Sequence, residues 1–192
     1  QTLGYDETGR LVTKDVTLTL IPYYAWAHRG TGEMAVWLPQ DVSATRPVMP
    51  PTIASKAKIT ASHMAKSISA INDGLTPKDE NDRTAPYYHW WPQEGTTEWI
   101  AYEFEQPEEI SSTTIYWYDD APWGGCRIPQ SWKIYYKDAS GNWQPVANTS
   151  FYGIAKGEPN TVRFTPVKTS AVKLEVVQPE KNSAGLFEWA VE

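Results

Sequence analysis

YWYDDAPWGGCRIPQSWKIYY, residues Tyr116 to Tyr136, sets the reading of the whole chain. Both of its ends alternate with the period of a β-strand. TTIYWY turns Ile115 and Trp117 to one face, and SWKIYY does the same with Trp132, Ile134 and Tyr136. Between the ends come Asp119, Asp120, Pro122, Trp123, Gly124, Gly125, the single cysteine Cys126, and Arg127. Two uses of such a glycine-hinged loop compete. It is a catalytic or binding site held up by the strands, or a corner plugged by a large side chain.

The same period extends outward. Upstream, EWIAYEFE turns Ile100, Tyr102 and Phe104 to one side. Downstream, DASGNW reads as a hairpin turn into WQPV. TVRFTP then offers Val162 and Phe164, and AVKLEVV offers Val172, Leu174 and Val176 with Lys173 and Glu175 facing out. LFEWAVE closes the chain with Phe187, Trp189 and Val191. Short alternating strands separated by Pro, Gly and Asn turns, with no convincing helix, specify an all-β chain folded as an antiparallel β-sandwich over 53–192. Residues 16–38 read as two further strands, through Val16, Leu18 and Leu20 and through Met34, Val36 and Leu38, joined at the glycines of AHRGTG. A lone hairpin is marginal in water, so this short β-hairpin segment, within residues 1–40, is expected to pack on something larger. The run PQDVSATRPVMPP has four prolines and no periodicity, which marks 41–52 as a stiffened linker.

Composition narrows the function. A length of 192 residues suits one domain with an appendage, and 41% hydrophobic against 21% charged residues excludes a disordered chain. The net charge of -6 argues against nucleic acid and against an anionic membrane surface, both of which need a basic face. No apolar run approaches the length of a membrane span. The sequence opens at Gln1 with neither Met nor a signal-peptide pattern, as expected of a processed chain or a piece of a longer one. One cysteine excludes an internal disulfide and a multi-cysteine zinc site. Ten Trp and eleven Tyr fill sandwich cores, but such rings are also platforms on which the C–H face of a sugar packs.

Two aromatic clusters supply the candidate ligand-binding residues. In the corner loop, Trp123 is presented by Pro122 and Gly124 and can stack a sugar face. Arg127 can donate to the sugar's hydroxyls. Against this, Trp123 can plug the mouth of the sandwich and Arg127 can pair with Asp119 or Asp120. Adjacent aspartates on a strand point to opposite faces and cannot flank one glycosidic bond, so Asp120 joins the set through loop hydrogen bonding rather than catalysis. A nucleophilic Cys126 would need a base, yet His28, His63 and His89 are all distant in sequence, which favours a small buried thiol. The second cluster is YYHWWPQEG, Tyr87 to Gly95. Trp91, before Pro92, is expected to anchor the core. Trp90 and Tyr88, on the opposite side of the extended chain, and His89 are then the candidates for an exposed platform. The polar stretch TPKDENDRTAP is expected at the same mouth.

Two stretches resemble known families. LIPYYAWAHRGTGEMAVWLP is similar to the closing strands of β-L-arabinofuranosidase-type glycoside hydrolases, over roughly 11–39. AINDG, WW, EWIAYEFEQPEEI, SWKIYYKDASGNWQPV and FEWAVE follow in the order of a discoidin-type, galactose-binding-like module, over about 54–192. The resemblance implies a jelly-roll sandwich at the tail of a larger bacterial glycan-degrading enzyme. That enzyme family's cysteine nucleophile, zinc and glutamates lie in a helical barrel with no counterpart here, so the chain alone is expected to be non-catalytic. A plant-type glycan and the parent catalytic domain are the implied partners, and a secreted or periplasmic location follows. A structural calcium is implied too. Asp73 would give a carboxylate, Ala70 and Leu75 carbonyls, and Glu188 the closing ligand, with Asp79 or Asp82 available because the loop after Gly74 is longer than usual. The alternative there is an ion-free Asx turn at Asn72–Asp73–Gly74. The alternatives for the module are a structural buttress that binds nothing and a protein- or lipid-binding discoidin domain. Exposed aromatics gathered at one end point to binding, and the same aromatics buried point to a buttress.

Overall fold

In the computed structural model, the described residues are Gly4, Tyr5, Leu11, Val12 and 47–192. The chain divides into two compact units, Gln1–Thr45 and Arg46–Glu192. In the first, Gly4–Tyr5 (β1) pairs antiparallel with Leu11–Val12 (β2). The hairpin expected over 16–38 lies outside the described residues. The second unit begins inside the proline run, whose described part is tied down rather than free. The Met49 N–H donates to the Gly74 carbonyl at 2.7 Å, and the Pro47 carbonyl accepts from the Thr76 N–H at 3.1 Å.

The second unit carries the strands Lys58–Ala61 (β3), Tyr88–His89 (β4), Thr97–Tyr118 (β5), Cys126–Arg127 (β6), Ser131–Lys137 (β7), Trp143–Pro145 (β8), Asn160–Val177 (β9) and Ser183–Val191 (β10). Short 3-10 helices cover Ile53–Lys56 and Lys66–Asn72. The sequence reading separates EWIAYEFE from TTIYWY and TVRFTP from AVKLEVV. The structure instead joins each pair into one long strand, β5 of 22 residues and β9 of 18. Their shared ladder breaks register between Glu103 and Glu108 and again between Ile110 and Ser112. Pro107 and Pro166 sit within these breaks, where a missing N–H costs no ladder bond. Bulged segments bend and twist a strand, so each long strand serves both layers. One layer is β3, the first part of β5, the second part of β9, β7 and β8. The other is β4, β10, the second part of β5 and the first part of β9.

Between the layers lies the core expected from the alternation: Ile100, Ile115, Trp117, Trp132, Ile134, Val162, Val172, Leu174 and Val176 are all buried. Two of the buried indoles find hydrogen-bond partners. Trp189 Nε1 donates to Thr113 Oγ1 at 2.7 Å, and Trp132 Nε1 donates to the Gly153 carbonyl at 2.7 Å. The alternation fails once, at Phe187. The register of β10 shifts between Leu186 and Glu188, so Phe187 leaves the main core and packs with Ala85, Tyr118 and Cys126 on the other side. That second cluster is the floor beneath the corner loop.

Candidate functional site

The strand parity of residues 87–91 decides which aromatics face out. β4 pairs with β10 through Tyr88↔Leu186 and His89↔Gly185. Tyr88 and Trp90 share one side, and that side is the core: both are fully buried, and their rings meet edge-on at 5.1 Å. The Tyr88 hydroxyl donates to the His63 carbonyl at 2.5 Å. Tyr88 and Trp90 are therefore not an exposed platform, because their side of the strand supplies area to the core. Trp91, expected to anchor the core, is 45% exposed instead. The period was legible, but the two faces are exchanged. The missed signal lies in parity with His89, since a titratable ring on a half-buried strand belongs on the wetter side and Trp91 shares that side.

The corner loop is built around the Asp120 carboxylate. Asp120 Oδ1 accepts from the Cys126 N–H at 2.8 Å and from Arg127 Nη1 at 3.2 Å. The same Nη1 donates to the carbonyls of Gly124 at 3.0 Å and Cys126 at 2.6 Å. Arg127 is thus committed to holding the loop, which is the pairing role weighed against a ligand contact. Asp119 is 1% exposed and forms an ion pair with Lys156 at 2.5 Å. Its N–H donates to the Glu80 carbonyl at 2.8 Å, which brings the polar 76–86 loop to this mouth. Neither glycine of the loop has a positive φ; both are needed for close approach. A Cβ on Gly124 would lie 1.7 Å from Asp120 Oδ2, and one on Gly125 would lie 2.5 Å from the Trp91 ring. Cys126 is 5% exposed, and burial first, with Asp120 next, pushes its thiol up to about 12. It has no thiolate to offer as a nucleophile at neutral pH.

Above this floor sits a recess of about 210 Å³ lined by Tyr87, His89, Trp91, Asp120, Gly125 and Cys126. Tyr87 is fixed by stacking on Tyr118, with centroids 3.9 Å apart, and by an edge contact with Phe187. Burial, followed by the nearby His63, pushes His89 below its usual value, with Asp120 pulling the other way. This shift favours the neutral imidazole. Trp123 stands 82% exposed at the tip of the corner. It is presented to solvent, but it is not part of the recess lining. Of the six sequence candidates, the recess gathers His89 and Asp120, and it adds Tyr87 and Trp91.

The two carboxylates singled out for calcium do approach each other across the module. Glu188 is 3% exposed, and its Oε2 accepts from the Gly74 N–H at 3.0 Å. Asp73 Oδ1 accepts from the Leu75 N–H at 2.8 Å, an Asx turn. Burial pushes Glu188 up to about 8; the Gly74 hydrogen bond opposes this, and the Asp73 charge adds to it. A buried carboxylate with a like charge beside it is chemically suited to a hard dication. Among the described residues no group of three or more His, Cys, Asp and Glu side chains gathers at one point. A cage here would need backbone carbonyls, as at Ala70 and Leu75. Asp79 Oδ1 accepts from the Asn81 N–H, and Asp82 accepts from the N–H groups of Lys78 and Thr84.

Comparison with known proteins places this geometry. The model of the F5/8 type C domain matches residues 55–190, and that of the glycoside hydrolase family 127 C-terminal domain matches residues 5–39. A solved structure of a β-galactosidase from Streptococcus pneumoniae is similar over 76% of this chain and 97% of its own, at 19% identity and a TM-score of 0.61. A family 32 carbohydrate-binding module from Clostridium perfringens in complex with galactose is similar over 73% and 97%, at 16% identity and a TM-score of 0.55. A second C. perfringens module, in complex with GalNAc-β-1,3-galactose, is similar over 73% and 98%, at 17% identity and a TM-score of 0.55. At such identities the likeness establishes the sandwich fold. Among the described residues no helix is long and apolar enough to cross a membrane.

Two outcomes test this placement of side chains. Trp90→Ala should lower stability by about 3–5 kcal/mol, as large-to-small changes at fully buried aromatics do. Trp91→Ala should cost clearly less, because close to half of that side chain already lies in solvent. Urea unfolding of both variants reads the difference, and equal losses would refute the assigned faces. The second outcome concerns pH. The Glu188 carboxyl has its folded value raised from 4.5 to about 8, so its contribution is fully favourable below about 4.5 and is lost as pH rises through about 8. In chelator-treated protein the melting temperature of Glu188→Gln, relative to wild type, should therefore climb between those limits. A difference that stays constant with pH would show that Glu188 ionises normally.

Proposed function

Because the chain belongs to the F5/8 type C domain family, we propose that it is a non-catalytic carbohydrate-binding module of a secreted glycoside hydrolase. The observation that carries this reading is the recess itself, in which an exposed Trp91 ring, the His89 imidazole and the Asp120 carboxylate converge on a rigid floor. A pyranose or furanose ring has one apolar C–H face and a rim of hydroxyls. Trp91 takes the face, while His89 and Asp120 take hydroxyls at the rim. Arg127 acts one step back, by fixing the Asp120 carboxylate. The match of residues 5–39 to a glycoside hydrolase C-terminal domain supports attachment to a catalytic partner. Relatives of the same fold that were solved with galactose and with GalNAc-β-1,3-galactose support the ligand class. Catalysis by this unit is disfavoured by chemistry, since Asp119 and Asp120 are both engaged in ion pairs and the Cys126 thiol is held protonated.

An aromatic contact of this kind adds roughly 0.5–1.5 kcal/mol beyond the area it buries. A single shallow recess therefore gives a dissociation constant on the order of millimolar to micromolar. Such weak binding is useful once tethering supplies effective concentration to a catalytic partner. The same reading includes a structural calcium at Asp73 and Glu188, which would pin the Gly74 loop, and with it the bridge to Met49, against β10.

Affinity electrophoresis on arabinan and galactan should show retention of the wild type. Trp91→Ala should weaken that retention about tenfold, which is about 1.4 kcal/mol. Unaltered retention of this variant would move the site away from the recess. Calcium at a hundredfold excess over its dissociation constant should add about 2.7 kcal/mol to stability. The gain should grow as pH rises, because the ion favours the ionised Glu188, and Asp73→Asn should abolish it. A melt that is indifferent to calcium and to chelator would remove the ion from the reading.

A further inference from the structure

A second cluster of rings and charges lies away from the mouth, on the outer face of the layer that contains β7. Along β7, Trp132 and Ile134 are buried in the core, so Lys133, Tyr135 and Lys137 face outward. The flanking strands add Trp143 of β8, opposite Lys137, and Lys173 of β9, opposite Tyr135. Lys173 Nζ lies over the Tyr135 ring at 4.5 Å and over the Trp143 ring at 5.5 Å, and Lys137 Nζ lies over the same Trp143 ring at 5.3 Å. Lysine on an outer face ordinarily extends its ammonium into water. Here the Lys173 side chain is only 15% exposed, so the rings hold the cations in place.

We infer that this face binds an acidic polysaccharide, a polyuronate whose carboxylates meet Lys133 and Lys137 while its sugar rings lie along Tyr135 and Trp143. The site is separate from the recess at the mouth; the choice of a polysaccharide among polyanions rests on the carbohydrate-binding reading. Charge is the first argument. The outward side chains of β7, β8 and β9 include three lysines and one glutamate, on a chain whose net charge is -6. Glu175 is paired with Lys173 at 3.0 Å, and Glu103 on β5 is paired with Lys58 at 2.9 Å. Glu103 also feels Lys137, but its hydrogen bond comes from Lys58. Among the described residues Lys133 and Lys137 form no ion pair. Spacing is the second argument. Four residues along a strand separate these two lysines by about 13 Å, so a lone carboxylate reaches one of them and a chain with a carboxylate on every residue reaches both. The rings are the third. Tyr135 and Trp143 lie beside the cations and offer apolar surface to the C–H faces of sugars, which a purely ionic partner would leave unused. Nucleic acid, with one charge per ~1.7 Å of duplex, calls for a far denser array of cations.

Affinity electrophoresis of the full chain in gels containing polygalacturonate, polyglutamate or neutral galactan tests the inference. Wild type should be retarded by polygalacturonate at low salt and less so above ~0.1 M, where the Debye length falls to about 10 Å. The rest of the chain is acidic and repels this polymer, so retardation reports a local site. Lys133→Gln with Lys137→Gln should weaken it about tenfold, and Lys133→Arg with Lys137→Arg should restore it. Neither pair should alter the melting temperature or retention on galactan. Trp91→Ala should show the reverse, with galactan retention weakened and polygalacturonate retention kept. Absence of retardation by polygalacturonate at low salt would overturn the site, and so would retardation that survives the glutamine pair or is lost in Trp91→Ala. Equal retardation by polyglutamate would overturn the sugar as its occupant. Galactan retention is read separately, so failure of this face leaves the recess standing, and failure of the recess leaves this face to be judged on its own gel.

Discussion

The antiparallel ladder between β5 and β9 runs through both layers of the sandwich, from Thr97↔Val177 at one end to Ile115↔Asn160 at the other. Two sheets that share their two longest strands cannot slide or rotate independently. The bend is placed where proline and the register breaks already weaken the ladder, so closing the sandwich sacrifices few hydrogen bonds. Everything at the mouth inherits this constraint. The corner loop leaves β5 at Tyr118 and re-enters the other layer at β7, and Lys156, just before β9, reaches back to Asp119. The site is thus stretched between the ends of strands whose relative position is fixed by the core.

A second constraint is local. The bulge in β10 between Leu186 and Glu188 puts consecutive side chains to unusual use. Phe187 drops under the corner loop and meets Tyr87 and Tyr118 edge-on, at 6.3 and 5.2 Å. Glu188 is carried toward Gly74 at the start of the long 74–86 loop. One irregularity therefore supports both the recess and the carboxylate pair. Without it, Phe187 would follow Trp189 and Val191 into the main core, and Tyr87 would lose a contact that keeps it upright.

How far the sequence goes is best judged residue by residue. Period-2 patterning located nearly every buried aliphatic side chain, because burial of one face of a strand leaves a mark at each alternate position. It did not show that β5 and β9 each pass through both layers, since a bent strand and two short strands have the same alternation. It also could not see the bulge at Phe187, where the alternation slips by one residue. The exchange of Trp90 and Trp91 has the same origin. Alternation says which residues share a side, but only the pairing of β4 with β10 says which side is inward. Of the corner loop, the tie between Arg127 and the aspartates could be weighed in advance, as could the burial of Cys126. The role of Gly124 and Gly125 could not. They serve close packing against Asp120 and Trp91, which depends on neighbours 4 and 34 residues away rather than on the loop's own backbone.

The placement of charge at the mouth follows from these contacts. Asp120 lies in the recess wall, yet its Oδ1 is already satisfied by the Cys126 N–H and Arg127. A carboxylate held this way keeps its orientation without help from a ligand, so a sugar that binds need not order it. Oδ2 makes a long 3.5 Å contact to the Tyr118 hydroxyl and lies close under Gly124. Trp91 is held in the same manner, by the absence of a Cβ on Gly125 beneath its ring. Preorganisation of this kind raises affinity by reducing what binding must order. In the proposed carbohydrate-binding reading, this is what lets a shallow recess with a handful of polar groups hold a sugar ring while each of its contacts stays weak.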